Sequence, residues 1–309
     1  MGVGIKGDSR ALTMIVVVAG LALAAVSAAA GQPQRASAQP QWILFTARPG
    51  GLGVEQIYRI TASGRSLKRL TKGDLPSTSP AFSHNGKKIA FAELGAGIFS
   101  MNLDGTGARR LTNNGRDSFP TWSPDGKQIA FIRPAKNGWG LYVMSASGSG
   151  ERLLRLAPPA GRPSWTKHGL LLATEGDLAR IDPRTGRVFQ RYGATIDAVV
   201  GMNTTAVSPD ASTLTYVGAG PQDPGDKDCG EGVPCPRFAL YIEDIRRHKA
   251  PRILVRDAGP ASFSNDGKRV AFVARNRIVL QVLASGKSTT IKTGNVLPTV
   301  ASPPVWQPR

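Results

Sequence analysis

The stretch that decides the fold is residues 120–131, which read PTWSPDGKQIAF. Its centre, Asp125-Gly126, supplies the positive φ angles that a two-residue hairpin turn requires. Apolar residues stand on both sides of that turn, so the stretch predicts two short antiparallel strands. The same phrase returns as PAFSHNGKKIAF at residues 80–91 and as ASFSNDGKRVAF at residues 261–272. We therefore interpret the hairpin as one part of a long repeat.

The spacing of the large apolar position in each copy gives the length of the repeat. Weaker copies at residues 163–172 and 205–216 complete the series. The steps are 40, 43, 42, 56 and 43 residues, and the position is occupied in turn by Phe82, Trp122, Trp165, Val207, Phe263 and Trp306. Two further short apolar segments follow each hairpin, usually with a Gly-containing turn between them. Four antiparallel strands in about 40 to 45 residues are typical of one β-propeller blade.

The two ends of the repeat region predict how the ring closes. Residues 42–45 match the second strand of a blade, but no first strand precedes them. Residues 305–306 match a first strand, and the sequence then stops. We expect the C-terminal strand to join the N-terminal blade, because a closed ring leaves no frayed edge. The prediction is an all-β, six-bladed propeller of four-stranded antiparallel blades over residues 39–309.

The repeat resembles a known family. The phrase P-x-W-S-P-D-G-K-x-I-A-F, followed by I-Y-x-M and R-R-L-T segments, is similar to the TolB-type, WD-like propeller repeat. The resemblance covers residues 42–309 and is most specific at residues 80–112 and 120–156. It implies a six-bladed propeller in an exported, usually bacterial, envelope protein that binds other proteins. TolB also carries an α/β domain before its propeller; we expect no counterpart here, so its Tol-system role does not carry over safely.

The N-terminal segment has the layout of a secretory signal peptide. Lys6 and Arg10 precede an uncharged run at residues 11–30, and small residues at 28–30 and 36–38 offer cleavage sites. We predict a signal peptide and short linker at residues 1–38, and a periplasmic, cell-envelope or secreted location. The alternative is an uncleaved anchor, because 20 apolar residues can just span a bilayer.

Two cysteines occur in a Gly/Pro-rich insertion at residues 221–236, in the fifth blade. In an exported chain, Cys229 and Cys235 predict a local disulfide, and two free thiols are the alternative. Acidic residues in the insertion could ligate calcium. Their spacing is not that of an EF-hand loop, so we favour an ordinary acidic loop.

The chain is strongly basic, with 39 Lys and Arg against 21 Asp and Glu, and a net charge of +18. Loss of residues 1–38 would leave 36 basic and 20 acidic residues, or +16. Lysines recur at the hairpin turns, namely Lys87, Lys88, Lys127, Lys167 and Lys268. They would form a ring on one face that could hold an anionic cell-wall polymer or a membrane surface. The alternative is that these lysines, and the basic residues of the outer strands, are solvated and protect strand edges. We expect no nucleic-acid partner, because the protein is exported.

Little in the sequence supports enzyme chemistry. Three histidines and two cysteines cannot build a zinc finger, and no G-x-S-x-G nucleophile elbow is present. We therefore predict no catalytic residue, cofactor or metal. The favoured function is a non-enzymatic, monomeric scaffold that binds another envelope or extracellular protein. The alternative is a propeller enzyme or a carbohydrate or anionic-polymer binder that uses the central funnel.

Propeller topology predicts which face binds the partner. The loops between second and third strands and the connections between blades share the face opposite the turn lysines. Loops of unequal length on a regular scaffold are where recognition residues collect. Trp139 falls outside the repeat and has no predicted place in the core. The predicted contact residues on this face are Trp139, Asp117, Ser118, Arg162, Asn203 and Asp257.

Overall fold

The computed structural model describes residues 41–136, 138–156, 162–174, 177–192, 205–219, 238–247, 249–300 and 302–308. These residues form six antiparallel sheets, with one 3-10 turn at Pro49–Gly51. The predicted fold class, a six-bladed β-propeller, is confirmed. In the described part of the chain, no helix is long and apolar enough to cross a membrane.

The blades follow one another along the chain, and the strands run from the inside of the ring outwards. Blade 1 contains β1 (Trp42–Arg48), β2 (Gln56–Thr61) and β3 (Lys68–Arg69). Blade 2 contains β4 (Ser77–Phe82), β5 (Lys88–Glu93), β6 (Gly97–Asn102) and β7 (Arg109–Arg110). Blade 3 contains β8 (Ser118–Trp122), β9 (Gln128–Ala135), β10 (Gly138–Ser145) and β11 (Arg152–Leu156).

The second half of the ring repeats this order. Blade 4 contains β12 (Ser164–Thr166), β13 (Gly169–Thr174), β14 (Asp177–Ile181) and β15 (Val188–Arg191). Blade 5 contains β16 (Ala206–Val207), β17 (Thr213–Ala219), β18 (Phe238–Asp244) and β19 (Arg252–Arg256). Blade 6 contains β20 (Ala258–Phe263), β21 (Arg269–Ala274), β22 (Arg277–Val282) and β23 (Ser288–Ile291). The last two strands are β24 (Leu297–Pro298) and β25 (Val305–Trp306), and both pair with β1.

The repeated Ser-x-Asp-Gly-Lys phrase builds the turn between the first two strands of a blade. In blade 3, Ser123 Oγ donates to Asp125 Oδ1 at 2.6 Å, and the backbone N–H of Lys127 donates to the same oxygen at 3.0 Å. The backbone N–H of Gln128 in turn donates to Ser123 Oγ at 2.9 Å. Gly126 has a φ of 71°, a conformation that costs a residue without a Cβ little. The recurrent polar residues are therefore explained by the turn itself.

The core lies between neighbouring blades. Trp122 is buried against Ala90 and Ile98 of blade 2, and its indole N–H donates to the carbonyl oxygen of Ala81 at 3.2 Å. Phe131 stacks on Tyr142 in the same cluster, with ring centroids 5.6 Å apart. Because each cluster draws on two blades, a single blade cannot bury its own apolar surface.

Basic residues of the outer strands connect one blade to the next. The first residue of the fourth strand donates to a carbonyl oxygen in the turn between strands three and four of the following blade. The pairs are Lys68 Nζ to Asp104 at 2.8 Å, Arg109 Nη2 to Ser147 at 3.0 Å, and Arg152 Nη2 to Pro183 at 2.8 Å. At these positions the side chains tie blades together, rather than being simply solvated.

The same turns explain one required glycine. Gly148 has a φ of 87°, and a Cβ there would lie 2.9 Å from the carbonyl oxygen of Leu111 in blade 2. That is closer than side-chain carbons normally approach an oxygen, so the turn can pack against the neighbouring blade only with glycine.

The C-terminal strand closes the ring, as the sequence predicts, but it is longer than predicted. Trp306 pairs with Ile43, and Val305 with Leu44. The segment β24, which carries no repeat phrase, pairs further along β1 through Ala47 and Arg48. The described residues between the two pieces are 299–300 and 302–304.

Ser302 and Pro304 contact the inner strands of both neighbouring blades. The backbone N–H of Ser79 in blade 2 donates to the buried Ser302 Oγ at 2.8 Å. On the other side, Ser262 Oγ of blade 6 donates to the carbonyl oxygen of Pro304. The C-terminal segment therefore links three blades at the centre of the ring.

Replacing the closing aromatic should destabilise the whole propeller. Trp306 is 3% exposed, packs on Ile43 and Ala271, and has the Arg269 guanidinium 4.7 Å from its ring. We expect Trp306→Ala to lower the free energy of unfolding by about 3–5 kcal/mol, as large-to-small core changes do. Equilibrium denaturation measures this loss. The control is Val300→Ala, at an exposed side chain of the same segment; equal losses in the two variants would contradict the closure.

The turn aspartates should make the fold sensitive to acid. The pKa of Asp125 is lowered by the Ser123 hydroxyl and the Lys127 N–H, and that of Asp266 by the Ser264 hydroxyl and the Lys268 N–H. A lowered folded-state pKa contributes stability above the unfolded pKa of about 3.9, and this is lost as pH falls through the folded value. Asn85 makes the same bonds in blade 2 without a charge.

The double variant Asp125→Asn, Asp266→Asn should therefore lose less stability on acidification than the wild type. Thermal melts between about pH 6 and about pH 3 measure the difference. Asp74→Asn, at an exposed carboxylate outside these turns, is the control. The same acid-induced loss in the double variant and the wild type would disprove the role of the turn carboxylates.

Candidate binding site

The inner strands enclose a cavity of about 660 Å³ at the channel end that carries the hairpin turns. All six blades contribute to its wall, with His84, Trp122, Trp165, Val207, Phe263 and Pro308 as one residue from each. This end is the lysine-turn face, whereas the predicted contact residues were assigned to the opposite face.

Aromatic residues line part of the cavity wall. The side chains of Phe82, Trp122 and Phe263 are buried, as expected for core positions of the repeat. Trp165 and Val207 occupy the same repeat position but are only half-buried. The aromatic position of the repeat thus serves the core in some blades and also faces the channel in others.

Arg162 adds a cation to this wall. It is partly exposed, and burial among the surrounding strands lowers the pKa of its guanidinium to about 10. Within the described chain, its side chain has no hydrogen-bond or ion-pair partner. The guanidinium therefore remains protonated at neutral pH and can donate to a ligand.

The sequence predicts Arg162 in a connection between blades, on the face opposite the turn lysines. In the structure Arg162 lies two residues before β12, and it lines the cavity at the lysine-turn end. Arg162 stands three residues before Trp165, as Phe119 stands three residues before Trp122. Phe119 belongs to β8, whereas β12 begins only at Ser164.

Asp117 has a structural role that the sequence does not reveal. Its carboxylate is fully buried, and its two oxygens accept from Arg133 Nε at 2.6 Å and Nη2 at 2.7 Å. Arg133 also pairs with Glu151, and these carboxylates raise the pKa of its guanidinium. The carboxylate of Asp117 therefore forms an internal ion pair with Arg133. Its neighbour Ser118 is half-buried at the start of β8.

Trp139 and Asp257 are placed differently from each other. Trp139 lies on β10 opposite Pro134, not in a loop, and it is half-buried against the cluster between blades 3 and 4. The expectation that Trp139 has no place in the core is therefore wrong. Asp257 is exposed at the start of blade 6, and its backbone N–H donates to the carbonyl oxygen of Phe238 at 2.9 Å.

Several predicted features lie outside the described residues. They are the signal segment at residues 1–38, Asn203, and the cysteines Cys229 and Cys235. Among the residues that are described, no group of three or more His, Cys, Asp or Glu is arranged to hold a metal ion.

Comparison with known proteins identifies the repeat. The family model described as the TolB beta propeller domain matches residues 24–172. The Tol-Pal system protein TolB of Gluconobacter oxydans is 36% identical over 98 residues, which cover 28% of this chain and 22% of that protein. TolB of Zymomonas mobilis is 38% identical over 79 residues, covering 24% of this chain and 17% of that protein. This chain thus spans about a fifth of the curated relatives it matches.

Solved structures agree on the fold. The crystal structure of TolB from Acinetobacter baumannii superposes with a TM-score of 0.62 at 19% identity, covering 87% of this chain and 67% of that one. A structure of putative TolB from Agrobacterium tumefaciens gives a TM-score of 0.54 at 15% identity, covering 85% of this chain and 92% of that one. The chain is a six-bladed β-propeller, and its repeats over residues 24–172 match the TolB beta propeller domain.

The structural role of Asp117 gives a testable prediction. Asp117→Asn removes the charge that faces the mostly buried Arg133, and breaking such a pair should cost about 3 kcal/mol of unfolding free energy. Asp257→Asn makes the same change at an exposed aspartate and should cost less than about 0.5 kcal/mol. Urea denaturation measures both. Similar, small losses of unfolding free energy in the two variants would show that Asp117 does not stabilise the fold. Asp117 would then remain a candidate contact residue for the partner.

Proposed function

We propose that this chain is an exported, non-enzymatic propeller that binds another protein of the cell envelope or extracellular space. The observation that carries the proposal is the division of roles among the residues. The recurrent Ser and Asp residues hold turns, and the recurrent outer-strand Lys and Arg residues of the first blades hold the next blade. The cavity wall, in contrast, differs from blade to blade.

The position of the cavity supports a binding role for the channel mouth. An opening of about 660 Å³ that combines aromatic walls with a few polar groups is typical of binding sites on rigid scaffolds. Residues that differ between blades line it, among them Arg162, His84 and Asn265. We therefore favour docking at this mouth, while the opposite face with Trp139 and the cysteine loop remains the competing prediction.

A carbohydrate or anionic polymer is the second candidate ligand. The half-buried Trp165 in the cavity offers an aromatic face of the kind that sugars stack on. The exposed turn lysines Lys87, Lys88, Lys127 and Lys268 would favour a polyanion at the rim. Binding by this rim should weaken steeply with ionic strength, whereas docking in the channel should not.

Affinity capture from an envelope extract tests the proposal. The bait is the mature protein, which should begin at Gly31 or Gln39; an intact Met1 in the membrane fraction would contradict cleavage and favour the uncleaved anchor. A channel variant, Trp165→Ala with His84→Ala, should lose the captured protein. A loop-face variant, Trp139→Ala with Cys229→Ser and Cys235→Ser, should keep it.

Two further results would overturn parts of the proposal. If only the loop-face variant loses the partner, the docking face is the wrong one. If a variant with Lys87, Lys88, Lys127 and Lys268 changed to Gln is the only one to lose binding, and salt abolishes that binding, the polymer reading replaces the protein-binding one. Thermal melts of every variant show that the loss is not due to unfolding.

A further inference from the structure

We propose that Arg162 makes the channel mouth selective for a carboxylate, so that the partner inserts an acidic group beside an apolar one. This inference rests on the proposed function, because it specifies the chemistry by which the channel recognises its protein partner. The juxtaposition that carries it is a cation, with no carboxylate partner among the described residues, in a cavity whose wall includes aromatic rings.

The other arginines around the ring show why Arg162 is unusual. Arg48 pairs with Glu55 at 2.8 Å and Arg191 with Asp177 at 2.9 Å. Arg109 and Arg152 donate to carbonyl oxygens of neighbouring blades. In the described part of the chain, Arg162 does neither, although it is less exposed than these residues. An internal structural role therefore does not account for its charge.

Taking a guanidinium out of bulk water is unfavourable unless another group compensates for the lost hydration. A carboxylate provides the best compensation, because its two oxygens match the planar fork of the guanidinium. Burial lowers the pKa of Arg162 to about 10, which is the direction expected for a cation that is desolvated without a partner. An acidic group that enters the cavity would supply the missing counter-charge.

The remaining charged groups of the cavity restrict the ligand further. Lys167 and His84 lie in the turns at the rim, together with the carboxylates of Asp210 and Asp266. Those carboxylates already accept hydrogen bonds from Ser208 and Ser264, both at 2.6 Å, so they are held in their turns. A polyanion would meet them at the rim.

A single carboxylate that reaches Arg162 avoids that repulsion. Trp122, Trp165 and Phe263 contribute aromatic surface to the cavity wall. The geometry therefore fits a carboxylate next to an aromatic or aliphatic group, as in an acidic residue beside an apolar one, better than a highly charged chain.

Benzoate and benzamide are matched probes for this site, because they share a ring and differ in charge. Titration of the mature full chain, followed by fluorescence of the cavity tryptophans, should show benzoate binding at least about tenfold more tightly than benzamide, or ~1.4 kcal/mol. In Arg162→Gln the two probes should bind within about twofold of each other. The control Arg116→Gln makes the same change at an exposed arginine outside the cavity and should keep the preference.

Two results would overturn the carboxylate assignment. Equal binding of benzoate and benzamide by the wild type would show that the site does not distinguish a carboxylate from an uncharged amide. Inorganic phosphate binding more tightly than benzoate through Arg162 would show that the site prefers a different anion.

Thermal melts separate a recognition role from a structural one. A desolvated cation without a partner does not stabilise the free protein, so Arg162→Gln should melt at the same temperature as the wild type or above it. A decrease of more than roughly 4 °C would identify Arg162 as a structural brace and overturn the inference.

Partner capture by the Arg162→Gln variant distinguishes this inference from the proposed function. We expect the variant to bind the captured protein at least about tenfold more weakly than the wild type does. If the wild type and the variant capture the protein equally, the partner presents no carboxylate, and the inference fails while the proposed function stands. If the wild type captures no protein, the proposed function itself fails, whatever the result with benzoate.

Discussion

The pairing of the C-terminal segment with β1 is the constraint on which the rest of the structure depends. Blade 1 takes three of its strands from residues 42–69 and its inner edge from β24 and β25, so the two ends of the propeller meet in one sheet. Between these strands, Ser302 and Pro304 bond to the inner strands of blades 2 and 6. Without this contact the neighbouring blades would lose part of their common core, and the channel would have no fixed diameter. The geometry of the channel mouth is therefore a consequence of ring closure.

Much of the fold could be predicted from the sequence because the hairpin phrase is locally determined. Ser123 and Asp125 form their hydrogen bonds within the turn, and Gly126 supplies the positive φ angle. Each copy of the phrase therefore determines its own turn without contacts to distant residues. The strand β24 could not be found in this way. Leu297 and Pro298 carry neither the phrase nor an alternating pattern, and only their pairing with β1 gives them a place.

The candidate site was less predictable, because it depends on contacts between distant residues. Asp117 and Asp257 both directly precede an inner strand, and the sequence analysis predicts the same role, partner contact, for both. In the structure, Asp117 faces Arg133, whereas the corresponding pair of blade 6 is Ala258 and Ala274. Asp257 therefore stays exposed while Asp117 is buried.

The positive charge of the chain has an internal explanation in part. Lysine and arginine residues at the start of outer strands donate hydrogen bonds to backbone carbonyl oxygens of the next blade. These bonds join the blades, and because the acceptors are uncharged, the positive charge is not neutralised. A high net charge is thus compatible with a partner that is not a polyanion. Arg162 differs because its charge is directed into the channel, and this makes it the residue most informative about the ligand.

Hydrogen–deuterium exchange of the backbone amides in β1 tests the central claim, closure of the ring, most directly. Strand β1 lies between β2 and the C-terminal strands, as β5 lies between β4 and β6. Amides in a paired central strand open only with the surrounding structure. The account predicts that residues 42–48 exchange as slowly as residues 88–93 in the intact protein. Rapid exchange of residues 42–48 beside slow exchange of residues 88–93 would show that the C-terminal strand does not close the ring.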